Sequence, residues 1–157
     1  MHRTWLPVVP AFLIATLACR DAEDRSFAEL QTRGHAAMGV DQYTSSHVFE
    51  SLPDGGRIAL ERDEADPAGV TRIREHMREI AGAFARGDFR VPGFVHARDV
   101  PGTAVMSARQ AAIRYTVDTL PRGAELRIVT RDSAALGAVH EFLAFQRHDH
   151  RTPGEHQ

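Results

Sequence analysis

Ile113-Arg114-Tyr115-Thr116-Val117-Asp118, then Leu120-Pro121-Arg122-Gly123, then Glu125-Leu126-Arg127-Ile128, is the stretch whose reading decides the fold. Its two flanks alternate apolar and polar with the period of a strand, and the Pro-and-Gly turn between them joins them as a hairpin. Directly afterwards Asp132 or Ser133 can cap a helix. In that helix Leu136, Val139 and Leu143, with Phe142 and Phe145 beside them, recur at the three-and-four spacing of a core-facing stripe. Its end falls around His148 to His150, and Pro153-Gly154 confirms the stop.

The same order of signals occurs upstream. His47-Val48-Phe49-Glu50-Ser51-Leu52 and Arg57-Ile58-Ala59-Leu60-Glu61-Arg62 flank Pro53-Asp54-Gly55-Gly56, where glycine tolerates the positive φ of a tight turn. The spacing sets Phe49 opposite Leu60 and His47 on the same inward face. Asp66-Pro67 then opens a helix with the stripe Val70, Ile73, Met77, Ile80, Ala81 and Phe84, and Gly87-Asp88 closes it. Between the halves, Phe89 to Met106 reads as a long irregular loop, apolar enough to pack back over the core. The pattern predicts an α+β domain in which two hairpin-helix (ββα) units form a four-stranded antiparallel sheet with two helices packed on one face. Aligned with a small gap, His76 falls opposite His140, and a pseudo-twofold relation would let the two imidazoles approach each other.

With 157 residues, 43% hydrophobic and 25% charged, the chain has room for one core, burying roughly 70% of its unfolded surface. A net charge of -2 gives no reason to expect nucleic acid. All 19 basic residues are arginine, which removes any Schiff-base lysine from the possible chemistry.

The first 18 residues have a basic start at Arg3, an apolar run from Trp5 to Ala18 and small residues before the cysteine. They read as a secretory signal. Ala15-Thr16-Leu17-Ala18-Cys19 resembles the bacterial lipoprotein box, though Thr16 and Leu17 depart from its usual residues. Lipidation gives a purpose to the single cysteine, Cys19, which has no disulfide partner in the chain. At about 0.8 kcal/mol per buried methylene, two or three acyl chains would hold the protein on a membrane. Arg20 follows the cysteine in place of Asp, and by the lipoprotein sorting rule that directs the chain to the outer membrane, facing the periplasm. The expected layout is a signal peptide over 1–18, a lipidated N-terminus and flexible tether over 19–43, a single α+β domain over 44–152 and a disordered tail over 153–157.

Residues from about Met38 to Thr152 resemble a family of small secreted bacterial proteins. The likeness is carried by Met38-Gly39, Thr44 to Phe49, Asp54-Gly55-Gly56, Ile73 to Ala81, Gly87-Asp88-Phe89, Pro92 to His96, Val100-Pro101-Gly102 with Met106, and His140 through Gln146 to His150-Arg151-Thr152. The resemblance implies a secreted domain and says little about activity. Some members bear the label aspartate carbamoyltransferase, but no Ser-Thr-Arg-Thr phosphate loop is present and one domain is too small for that enzyme.

Nine histidines are more than composition predicts. His47 at a strand end, His76 and His140 on helices and His96 on the loop could face one cavity. Met106, or Met38 with His35, could add a thioether. Imidazole with thioether and no thiolate favours copper, whereas imidazole with a carboxylate such as Glu75 or Glu141 suits zinc or nickel. The expected metal set is therefore His47, His76, His96, His140 and Met106 around a copper or zinc ion. Convergence of the ring nitrogens to within roughly 4 Å of one point would mark the site. His148-Asp149-His150 reads as a solvated helix end. The rival function is a non-catalytic module that docks an envelope protein and keeps its histidines for structure. A hydrolase is a weaker third: Ser45, Ser46, Ser107 and Ser133 lie in no Gly-x-Ser-x-Gly elbow, and His96 with Asp99 is the one conceivable general base.

Overall fold

The computed structural model describes residues 12–152; the first part of the expected signal and the expected tail, 153–157, lie outside them. A long helix α1 (Phe12–Met38) precedes strands β1 (Ser45–Leu52) and β2 (Gly55–Arg62) and helix α2 (Pro67–Ala85). Two short helices, α3 (Arg90–His96) and α4 (Thr103–Ala108), lead into β3 (Ile113–Leu120), β4 (Gly123–Thr130) and the closing helix α5 (Ser133–Asp149). The strands form one antiparallel sheet in the order β1-β2-β4-β3. The expected α+β class is what the chain adopts, and its order is loosely that of two ββα units.

Each hairpin turns on two residues, Pro53-Asp54 and Pro121-Arg122, preceded by leucine and followed by glycine. Gly55 has φ 147°, and a Cβ there would stand 2.0 Å from the Ile128 carbonyl oxygen, so no other residue fits. This turn is tighter than the sequence reading assumed. Phe49 therefore faces Ile58, and it is His47 that faces Leu60. Because paired residues share a face of the sheet, Leu60, Leu126 and Ile128 join His47 and Phe49 on the side covered by the helices.

Both main helices start on an aspartate: Asp66 accepts from Gly69 N–H and Asp132 from Ala135 N–H, each at 2.9 Å. Both end in left-handed caps, at Gly87 (φ 72°) and Arg151 (φ 52°). Past these caps Asp88 N–H returns to Ala83 O, and Thr152 N–H to Arg147 O. Each helix covers mainly the hairpin of the other unit, α2 lying on β3 and β4 and α5 on β1 and β2. The core is sealed where they meet, with Ile73, Met77, Phe84, Val139, Phe142 and Leu143 at 2% exposure or less.

Two expectations are corrected. Residues 19–38, read as a flexible tether, belong to α1, whose Leu30 is buried and which packs on α3. The segment carries too few apolar residues to make a helix that is stable alone, and docking supplies what propensity does not. Val40, ahead of the expected boundary at 44, also belongs to the core. The presumed loop after α2 is mostly helical, since Pro92 falls in the first turn of α3, where a missing N–H costs nothing.

Candidate functional site

A cavity of about 80 Å³ lies between α1, the β1–β2 hairpin, α2, α3 and the end of α5. Gly34 and Ala37 of α1 leave the space open, and Phe49, Leu60, Phe84 and Phe142 are among its apolar walls. Into it project four imidazoles, His47, His76, His96 and His150, and two thioethers, Met38 and Met77.

Each side chain arrives there for a local reason. His47 is on the inward face of β1, two residues before Phe49. His76 flanks the α2 stripe of Ile73, Met77 and Ile80. His96 is the last residue of α3, and Ala97 (φ 52°) then turns the chain away. His150 caps α5, its N–H bonded to Gln146 O at 2.9 Å.

The His150 ring is the centre of the group. It stands 5.6 Å from the ring of His47, 5.2 Å from that of His96 and 5.3 Å from Phe49. The polar atoms of these rings are treated very differently. His96 is satisfied on both sides: Nδ1 lies 2.8 Å from Asp149 Oδ2 and Nε2 lies 3.0 Å from Gln146 Oε1. Arg98 Nη2 donates to the other carboxylate oxygen of Asp149 at 2.9 Å. Burial works to raise the Asp149 carboxyl, yet His96, Arg98 and His148 together hold it below the usual carboxylate range. His47 Nε2 and His150 Nδ1, by contrast, are buried and have no hydrogen-bond partner. An unsatisfied buried polar atom costs about 1–3 kcal/mol, so two in one cavity are a feature to be explained.

Burial makes these rings weak bases. It pushes His47 down to about 4 and His150 down to about 3, the latter helped by the neighbouring His47 and His96. Burial also lowers His76. At neutral pH the imidazoles of His47 and His150 are therefore uncharged, the form in which imidazole ligates a metal.

The expected ligand set is only partly assembled. His47, His76 and His96 do line one cavity, but His140 is not among its lining residues. Its Nε2–H donates to Leu52 O at 2.9 Å, in the first hairpin turn. The helix caps show why: counted from Asp66 and Asp132, the residue equivalent to His140 is Arg74, not His76. Arg74 makes the matching contacts in the other turn, from Nε to Gly123 O at 3.0 Å and from Nη2 to Leu120 O at 2.7 Å. His140 is a turn clamp, and His76 and His140 serve different ends of the fold. Met106 is fully buried in the core and lines no cavity wall beside the histidines. Asp99 is not the partner of His96; Asp149 takes that place.

The sequence reading missed His150, which it assigned to a solvated helix end. Of that end only His148 fits the description, its side chain being 88% exposed. The signal is in the sequence: Val139, Phe142 and Gln146 continue at helical spacing to His150, but the polar Gln146 interrupts the apolar stripe that marks the buried face. Among the described residues, no group of three or more His, Cys, Asp or Glu side chains is arranged to hold a metal ion. The donors that come together in the cavity are of mixed type, imidazole nitrogen with thioether sulfur. Comparison with protein-family models, with curated proteins and with solved structures finds no match for this chain.

Proposed function

We propose that this chain is a cell-envelope binding protein whose cavity takes a soft transition-metal ion, Cu(I) in preference to Zn(II). The observation that carries the reading is the pair of buried, unpartnered ring nitrogens, His47 Nε2 and His150 Nδ1, in a cavity also lined by Met38 and Met77. Neutral imidazole and thioether together suit Cu(I), whereas zinc favours imidazole with thiolate or carboxylate. His76 is a further nitrogen donor on the same wall. A bound ion would use lone pairs that otherwise stay desolvated without compensation.

The anchor belongs to the same reading. Lipidation of Cys19 would hold the domain on the periplasmic side of the outer membrane through α1, which is helical from before that residue to Met38. Mass spectrometry of membrane fractions should find an acylated Cys19, and an unmodified, soluble N-terminus would refute the anchor.

Titration of the purified domain against a chromogenic Cu(I) chelator should show one ion bound more tightly than about 1 μM. His47→Ala with His150→Ala should abolish it, whereas His140→Ala with Met106→Leu should leave it intact. Val91 and Phe94, exposed apolar residues of α3, favour the rival reading of a partner-docking envelope module with structural histidines. That reading expects neither Cu(I) nor Zn(II) to bind or to raise the melting temperature.

A further inference from the structure

The sheet has two outer strands, β1 and β3, and the chain closes the free edge of only one of them. Each hairpin turns on two residues, so the pair beside the turn exchanges backbone bonds, and from there every second residue aims its N–H and C=O away from the neighbouring strand. In β1 these outward groups belong to Ser45, His47, Phe49 and Ser51, and Arg147 of α5 fills that edge by donating to Phe49 O at 2.8 Å. In β3 they belong to Ile113, Tyr115, Val117 and Thr119. Counted from the two turns, Val117 is the equivalent of Phe49; counted from the two helix caps, the equivalent of Arg147 is Ala81, whose methyl cannot reach the strand. Among the described residues no other segment bonds to these backbone groups of β3. The strand also lacks protections common at free edges: its 8 residues run in register without a bulge, and it holds no proline and no charge on its inward face.

The side chains along this edge complement a second copy of themselves. Arg114, Thr116 and Asp118 are exposed on the face away from the helices, and neither charge has an ion-pair partner among the described residues. Asp118 stands opposite Glu125, which Arg57 already holds at 2.8 Å; like charges placed so weaken a ladder. We propose that β3 pairs antiparallel with β3 of a second copy about a twofold axis at Thr116, joining the two four-stranded sheets into one. This register joins the outward backbone groups of Tyr115 and Val117 across the axis. It sets Arg114 of each copy opposite Asp118 of the other, Thr116 opposite Thr116, and Tyr115 opposite Val117. Opposite-charge, Thr–Thr and aromatic–β-branched pairs are those that stabilise neighbouring strands, and the charged pairs fall at non-hydrogen-bonded positions, where side chains come closest. A twofold interface has to be self-complementary in this way. No residue of β3 lines the histidine cavity, so the dimer goes beyond the proposed function and does not depend on it.

The test follows the mass of the full chain by sedimentation equilibrium from about 10 μM to about 1 mM, the range that a contact of this size calls for. The mass should rise with concentration from one chain towards two. Arg114→Asp alone and Asp118→Arg alone each set like charges at both symmetry-related pairs, and each should weaken association by about tenfold or more. An equimolar mixture of these two single variants should recover it, because every altered charge then meets its opposite, and the double variant should recover it as well. Both positions are exposed, and circular dichroism of the single variants should match that of the unaltered chain. In the dimer the Tyr115 and Val117 amides should exchange more slowly as the concentration rises. A chain that stays single at about 1 mM would overturn the proposal. So would association that the charge reversals do not weaken or that mixing does not recover, since it would run through another surface.

Discussion

At the scale of single residues, His47 and His150 make the domain sensitive to acid. Their pKa values in the fold, about 4 and about 3, lie below the value near 6.5 that they take when unfolded. On acidification the unfolded chain takes up protons first, so the stability that the neutral rings share is complete above about pH 6.5. It is then lost progressively as the pH falls towards 4 and then 3. At about 1.4 kcal/mol per pKa unit, His47 alone accounts for a loss on the order of 3 kcal/mol, a large share of the roughly 5–15 kcal/mol that holds a typical domain. The urea midpoint should fall steeply between pH 6.5 and 4 in the unaltered protein and much less in His47→Leu with His150→Leu. Equal slopes would mean that other groups govern the acid limb.

At the scale of elements, the second half of α1 is a cover held by side-chain contacts on either side of Leu30. Arg33 Nε donates to Val95 O at 2.8 Å. Arg151 donates to Asp24 Oδ1 at 2.9 Å and to Glu23 O at 3.1 Å, and its guanidinium sits 4.3 Å over the Phe27 ring. That explains a non-glycine residue in the left-handed cap of α5, where the other unit uses Gly87: the position is needed for its side chain. Between these contacts Leu30 is a buried apolar anchor, at 4% exposure. Leu30→Ala should cost about 2 kcal/mol or more, read as a lower urea midpoint, and should speed amide exchange in α1 and α3 ahead of the sheet. Uniform acceleration across the molecule would show that α1 is part of the cooperative core and not a cover on it. Asp132 tests a different element. Its carboxyl is held below its ordinary value first by the Ala135 N–H and also by Arg109, and Asp132→Ala should lower the melting temperature through loss of the α5 cap. Thermal unfolding above pH 5 should show that cost, and it should shrink as the aspartate protonates at lower pH.

At the scale of the whole molecule, the two units are interlocked, because each helix covers the other unit's hairpin. Arg147 Nη1 donates to Phe49 O at 2.8 Å, and Leu143 is so close to β2 that a Cβ on Gly56 would meet its Cδ1 at 2.2 Å. Phe142 is the shared centre, edge-on to both Phe84 and Phe89 at 5.9 and 6.2 Å. Phe142→Ala should cost about 3–5 kcal/mol, and neither half should survive it alone, so the loss should appear as one unfolding transition by both fluorescence and circular dichroism. Two separate transitions would mean that the ββα units are independent.

What the sequence by itself determined is local. Alternation, Pro-and-Gly turns, aspartate caps and the three-and-four stripes each act over a few residues, so the strands, both main helices and the α+β class were legible. So was the inward aim of His47, which follows from strand parity alone. Tertiary structure decided the rest, because it depends on which distant surfaces meet. A charged, weakly apolar segment became α1 only because α3 and Arg151 receive it. His140 was taken by a turn carbonyl in the opposite hairpin. His96 found its carboxylate 53 residues away, at Asp149. His150, one turn past Gln146 on the buried side of α5, entered the cavity that α1 closes. No pattern of spacing records those meetings, since they are fixed by the crossing of helices over the sheet and not by the order of residues within any one element.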